Sequence, residues 1–72
     1  MEMPRYFFHV RRGQVTTVDN VGLELNGEAE AVAEAERRVR DLAAKGALSG
    51  RAPEPGTIII EDQWQTVDEI HF

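Results

Sequence analysis

The chain has 72 residues, of which 42% are hydrophobic and 29% charged, and a chain of this size forms one domain. It contains no cysteine, which excludes a disulfide framework, a thiolate nucleophile and a cysteine-based metal site. The composition is too apolar for a disordered protein, and its apolar runs are far shorter than the roughly 20 residues of a membrane span. We therefore expect a globular cytoplasmic protein that does not enter a membrane.

Charge is unevenly distributed along the chain. Eight basic and thirteen acidic residues give a formal net charge of -5, which disfavours a generally basic nucleic-acid binder. Residues 1–18 nevertheless hold Arg5, Arg11 and Arg12 against Glu2 alone, whereas residues 61–72 hold four acidic residues and no Lys or Arg. The two ends of the chain therefore carry opposite charge.

The first 25 residues predict an antiparallel hairpin over residues 4–25. Tyr6, Phe8 and Val10 alternate with more polar neighbours, as in a strand with one apolar face. A turn at residues 12–14 leads into a second strand over residues 15–19, which continues over residues 21–25. Gly22 within it indicates a bulge or bend.

The middle of the chain predicts a helix over residues 27–46. Asn26 is the expected N-cap and Gly46 the expected left-handed terminator. Acidic residues fill the first half and basic residues the second, which suits the helix dipole. The apolar stripe is narrow and rich in alanine, so we expect the helix to lie close to the surface that it covers. The i,i+4 pairs predicted to support it are Glu34/Arg38, Glu36/Arg40 and Asp41/Lys45.

After an irregular loop over residues 47–56, the β-branched run at residues 57–60 predicts a buried strand and residues 57–72 a second hairpin. The order is ββαββ. The expected fold class is therefore α+β, with an antiparallel sheet and one helix packed on one face.

One helix covers only one face of such a sheet. Because burial within one copy does not clearly outweigh the ordering cost of a chain this short, we expect a homodimer that pairs through its strands or covers the open face. The residues predicted to lie at the dimer interface are Phe7, Ile59, Val67, Ile70 and Phe72.

The run MPRYFFHV at residues 3–10, the VGLEL at residues 21–25, the Ala/Glu/Arg helix and the final hairpin with its aromatic end form a recognisable pattern. It resembles a family of very short bacterial proteins of unknown function that begin Met-Pro-Arg-Tyr-Phe-Phe-His. The resemblance implies a ββαββ unit dimerised through the C-terminal strand, with no assigned enzymatic activity and DNA binding as a suggestion. The chain departs from the family pattern at Trp64, which replaces a turn glycine, and at Asp68, where an apolar residue is expected.

Residues suited to catalysis are few. Ser49 is the only serine and lacks a nucleophile-elbow glycine pattern, while His9 and His71 are the only imidazoles and would have to meet to hold a metal. We therefore expect no enzymatic activity, metal or cofactor.

Two binding functions are consistent with the sequence. Seven of the eight basic residues are Arg, which suits phosphate contacts, and a dimeric DNA-associated regulatory protein is the first hypothesis. The alternative is a protein–protein adaptor or antitoxin-like partner that docks through its acidic C-terminal hairpin or a sheet edge. A continuous arginine surface favours DNA, and arginines paired with carboxylates favour the adaptor. The candidate nucleic-acid-binding residues are Arg5, Arg11, Arg12, Arg37, Arg38 and Arg40.

Overall fold

The computed structural model describes residues 3–50 and 54–72 and contains one helix and five strands in an antiparallel sheet. This confirms the predicted α+β fold class. Part of the predicted loop, residues 51–53, lies outside the described residues. The elements are β1 (Arg5–Arg12), β2 (Val15–Thr17), β3 (Leu23–Glu24), α1 (Glu28–Leu48), β4 (Thr57–Glu61) and β5 (Thr66–His71).

Strand β1 is central and β5 lies at one side of the sheet. The order is β2-β1-β4-β5, with β3 also paired to β1. In the β1–β4 ladder Phe8 lies opposite Ile60, and in the β4–β5 ladder Ile58 lies opposite Ile70. Both β2 and β3 pair with the side of β1 that faces away from β4, near its two ends. One sheet edge is therefore made of two short strands, and the other of β5.

The predicted second strand is interrupted. Only residues 15–17 and 23–24 pair with β1, and the backbone between them leaves the sheet. Gly22 has a φ of 76°, in the left-handed region that glycine tolerates. A Cβ on Gly22 would lie 2.8 Å from Arg5 Cγ and 3.0 Å from the Tyr6 carbonyl oxygen. A side chain at this position would thus be both strained and obstructed, which explains the glycine.

The core lies between the sheet and the helix. Tyr6, Phe8, Ile58 and Ile60 are buried on the sheet side, and the helix contributes Ala31 and Ala35, both fully buried. Because alanine is small, α1 lies close to the strands, as its composition predicts. Partly buried side chains pack around this core, namely Val10, Leu25, Val32, Val39, Val67, Ile70 and Phe72.

Both predicted helix ends need correction. Asn26 does not cap the helix: Gly27 is the N-cap residue, and the Asn26 backbone N–H and side-chain amide donate to the Glu30 carboxylate instead. Gly46 does not terminate it either, since the helix continues to Leu48 and the left-handed φ, 71°, occurs at Gly50 after the helix end. A glycine inside a helix costs only about 1 kcal/mol relative to alanine, so it does not by itself end a helix.

A bulge explains the unexpected position of Asp68. The β4–β5 register shifts between Ile60 and Glu61, so that Asp68 lies opposite Ile60 and Thr66 lies opposite Glu61. Val67 is the extra residue between them, and it packs against the core while Asp68 stays exposed. The bulge thus lets Val67 pack against the core although a regular alternation of inward and outward residues along β5 would not place it there.

Candidate functional site

Three of the six candidate arginines form close ion pairs within the protomer. Arg5 donates from Nη2 to Glu24 Oε1 at 2.8 Å and from Nη1 to the Val21 carbonyl at 2.8 Å. Arg37 and Arg38 both contact the Glu34 carboxylate, at 2.7 and 2.8 Å. These pairs satisfy guanidinium groups that a phosphate would otherwise contact.

Arg37 and Arg38 each have one further partner besides Glu34. Arg37 also donates to Asp41 at 2.7 Å. The Arg38 guanidinium lies over the Phe8 ring at 4.3 Å from its centroid, a cation–π contact that ties the helix to β1. Of the three predicted i,i+4 pairs, Glu34/Arg38 forms. The pairs Glu36/Arg40 and Asp41/Lys45 do not form among the ion pairs of the described residues. Asp41 pairs with Arg37 instead.

The other three candidate arginines do not all lie on one face of the sheet. The Arg12 guanidinium carbon lies 5.5 Å from the centroid of the Phe72 ring, and Arg12 Nη1 lies 4.0 Å from Glu54 Oε2. Arg11 lies on the open sheet face and Arg40 on the helix that covers the opposite face; neither forms an ion pair with the residues described. These two guanidinium groups, which have no ion-pair partner among the described residues, are therefore on different sides of the sheet.

The helix ion pairs depress the pKa of Glu34. The hydrogen bond from Arg37 lowers that pKa from 4.5 to about 2, opposed by burial and supported by the hydrogen bond from Arg38. The same pair raises the pKa of Arg37. Glu34 is therefore ionised in the folded protein well below the pH at which an unfolded glutamate takes up a proton.

This shift predicts an acid-dependent loss of stability. Because the folded pKa is depressed, the stabilisation is present above pH 4.5 and disappears as the pH falls through about 2. Solvent screens the half-exposed Arg37, so we expect on the order of 1 kcal/mol. Urea denaturation at stepped pH values should show a steeper acid slope for the wild type than for Glu34→Gln. Equal slopes for the two proteins would contradict the prediction.

His9 and His71 do not meet. They lie on β1 and β5, which β4 separates, and each has its own partners. The Asp19 backbone N–H donates to His9 Nδ1 at 3.0 Å, which leaves Nε2 to donate to Glu61 at 2.7 Å. His71 Nδ1 lies 3.0 Å from the hydroxyl oxygen of Thr57. Both imidazoles hold neighbouring elements together.

Asp19 occupies the gap between β2 and β3, a role that the sequence analysis missed. Its carboxylate accepts hydrogen bonds from the backbone N–H groups of Phe8, Val21 and Gly22 at 3.0–3.1 Å. Burial alone raises the pKa of Asp19, but these N–H donors, together with the charge of Arg38, hold it below its usual value. An aspartate just before Asn-Val-Gly was the available signal, because Asp accepts N–H groups in turns.

The outer edge of β5 has no strand partner within the described residues. Gly56 and Phe72 exchange both backbone hydrogen bonds, at 2.8 and 2.9 Å. In an antiparallel ladder the direction alternates, so the N–H and C=O groups of Glu69 and His71 point away from β4. This six-residue edge, together with the turn that leads into it, is called the β5 edge below.

Trp64 lies in the turn that leads into β5. Asp62 accepts hydrogen bonds from the Trp64 and Gln65 N–H groups at 2.7 and 2.8 Å, which shapes the turn. The Trp64 residue is 79% exposed, so it does not serve as a packing residue of the hairpin. An exposed tryptophan beside an unpaired strand is a feature of docking surfaces.

The five predicted interface residues do not share one surface. Phe7 and Ile59 lie half-buried on the open sheet face, whereas Val67, Ile70 and Phe72 pack against the core. The homodimer itself stays a prediction.

The described residues form neither a cluster of metal ligands nor a membrane-spanning helix. No group of three or more His, Cys, Asp or Glu side chains is arranged to hold a metal ion there. In the same part of the chain, no helix has the length and apolar character to cross a membrane.

Comparison with known proteins assigns a family but no activity. No curated protein and no solved structure matches the chain. A family model, described as a domain of unknown function, matches residues 5–72 and so covers β1 to β5 and the helix. The chain therefore belongs to the family DUF6894.

Proposed function

We propose that the protein is a small non-enzymatic binding module that docks an extended polypeptide segment along the β5 edge. The observation that carries the proposal is the outer side of β5, which pairs with no strand of residues 3–50 and 54–72 and has outward-facing backbone groups at Glu69 and His71. A segment that adds a strand there would form main-chain hydrogen bonds, as in other β-augmentation complexes.

The two sheet edges differ in how well they accept a strand. The β1 side is blunted by strands of three and two residues and by the Asp19 carboxylate, which occupies the Phe8 N–H. The β5 side is a single strand of six residues, and the carboxylate that accepts an N–H there, that of Asp68, does so from an exposed position. Natural sheets protect edges by shortening them, so the longer edge is the better candidate for docking.

Charge favours a basic partner. Residues 61–72 carry Glu61, Asp62, Asp68 and Glu69 and no Lys or Arg. Such a surface attracts a segment with Lys or Arg side chains and repels an acidic one. The exposed Trp64 ring adds apolar area at one end of the edge.

The distribution of arginines supports this function over DNA binding. Three of the candidate arginines are already paired with carboxylates at 2.7–2.8 Å, namely Arg5, Arg37 and Arg38. Arg11 and Arg40 form no ion pair with the part of the chain that the structure describes, and they lie on different sides of the sheet. A phosphate backbone needs several free cations on one surface. A band shifted by duplex DNA at low salt would instead favour the DNA-associated protein.

A peptide titration tests the docking proposal. We expect a peptide of about ten residues that alternates Lys and Val to shift the amide resonances of β5 and to slow exchange at the His71 amide. A peptide of the same length that alternates Glu and Val should do neither. Resonance shifts confined to the helix or to β2, or no shifts at all, would overturn the proposal.

A proline variant supplies the matched control. The His71 N–H points away from β4, so His71→Pro removes a docking donor without removing a backbone ladder bond, but it also removes the imidazole that contacts the Thr57 hydroxyl. We expect this variant to stay folded and to lose peptide binding. His71→Ala loses the same imidazole and keeps the N–H, so it should keep peptide binding. Sedimentation equilibrium without peptide tests whether a second copy of the chain occupies the β5 edge. If the protein forms a concentration-dependent dimer that His71→Pro abolishes, the partner at this edge is a second copy and not a basic segment.

A further inference from the structure

The outward N–H of Glu69 is already occupied. Asp68 Oδ1 accepts its hydrogen bond at 2.8 Å. Asp68 is exposed and stands at the bulge, where the register shift places it opposite Ile60. A carboxylate of the strand itself thus fills the position that the carbonyl oxygen of a docked strand would take.

The neighbouring outward position differs. Among the described hydrogen bonds, no side chain accepts one from the His71 N–H. A docking segment therefore finds one free donor, at His71, and one covered donor, at Glu69. Full pairing along β5 requires Asp68 to release the Glu69 N–H.

We infer that Asp68 determines which segments dock on the β5 edge, by competing with the incoming carbonyl and then pairing with a cation of the partner. This inference rests on the proposed docking function. A displaced carboxylate loses a charge-assisted hydrogen bond. A Lys or Arg beside Asp68 compensates for that loss, whereas a neutral segment leaves it uncompensated. The partner class is thus an extended segment with a basic side chain at this position.

Such competition gives specificity by penalising the wrong partner, a known design of selective interfaces. It also discourages indiscriminate edge pairing, because a neutral strand from any protein meets the Asp68 carboxylate first. Acidity alone would attract cations without excluding neutral strands. Competition by the Asp68 carboxylate and simple charge attraction therefore predict different effects for substitutions at positions 68 and 69.

The test compares Asp68→Ala with Glu69→Gln. Each substitution removes one negative charge, but only the first frees the Glu69 N–H. The probes are the alternating Lys/Val peptide and a peptide of equal length that alternates Thr and Val. We expect Asp68→Ala to strengthen binding of the Thr/Val peptide about tenfold and to reduce the preference for the Lys/Val peptide. Glu69→Gln should weaken Lys/Val binding and leave Thr/Val binding unchanged.

Amide exchange in the free protein gives a second readout that needs no peptide. The Glu69 amide should exchange several-fold faster in Asp68→Ala than in the wild type, and Glu69→Gln should keep that amide protected. If the two variants change peptide preference and exchange equally, the effect is one of charge and the inference about Asp68 fails while docking stands. If neither peptide perturbs β5 in any of the proteins, the docking function itself fails.

Discussion

Asp19→Ala is expected to destabilise the protein by about 2–4 kcal/mol, because three backbone N–H groups lose their acceptor at once. The Phe8 N–H is the costly one, since Phe8 is buried and no strand lies opposite it to replace the carboxylate. The loop that carries Asp19 also positions the backbone N–H that holds His9. Urea denaturation followed by circular dichroism measures the loss.

Asp62→Ala is the matched control for this prediction. The Asp62 carboxylate also accepts two backbone N–H groups, but these lie in an exposed turn where water takes its place. We expect a cost of about 1 kcal/mol or less for Asp62→Ala. Asp19→Asn keeps one acceptor oxygen and should fall between the two variants. Equal costs for Asp19→Ala and Asp62→Ala would show that the gap in the sheet edge does not depend on Asp19.

The strands were predictable where alternation and burial agree. Tyr6 and Phe8 share one parity and both enter the core, and the β-branched run that contains Ile58 and Ile60 forms the strand between β1 and β5. The second strand was predicted too long. The alternation of Val21, Leu23 and Leu25 does not reveal that the Asp19 carboxylate, and not a strand carbonyl, accepts the Phe8 N–H. Whether a carboxylate accepts an N–H depends on backbone direction, which a single sequence does not specify.

The candidate site was predictable in its charge and not in its pairing. The acidic bias of residues 61–72 was evident from composition and now lies along and beside the β5 edge. The Glu34/Arg38 pair followed from helical spacing. The further use of Glu34 by Arg37 and the stacking of Arg38 on Phe8 depend on how α1 crosses β1, which requires the three-dimensional structure.

At each edge of the sheet an aspartate carboxylate accepts an outward backbone N–H, but the two carboxylates differ in how many bonds they make and in how exposed they are. An aspartate accepts the outward N–H of Phe8 on one side, and another accepts the outward N–H of Glu69 on the other. Asp19 is half-buried and accepts two further hydrogen bonds, so a docking strand would have to break three bonds to reach the Phe8 N–H. Among the described hydrogen bonds, Asp68 makes this one bond from an exposed position, which a ligand can replace. This asymmetry supports the proposal that a partner docks at β5 and not at the opposite edge.

Ala35→Leu is expected to destabilise the protein by about 1–3 kcal/mol, although leucine is a good helix former. Ala35 is fully buried in the core formed with the sheet residues Tyr6, Phe8, Ile58 and Ile60. The added carbons have no space unless α1 moves away from the sheet, and such a movement would also separate Arg38 from the Phe8 ring.

Ala33→Leu separates packing from helix propensity, because Ala33 is an exposed residue of the same helix. We expect Ala33→Leu to leave the urea midpoint nearly unchanged and Ala35→Leu to lower it. The amide resonances of β5 should also shift in Ala35→Leu, since α1 packs against β4 and β5. If both leucine variants keep the wild-type midpoint, α1 does not lie as close to the sheet as its two buried alanines require. The β5 edge would then lack the rigid support that strand docking needs.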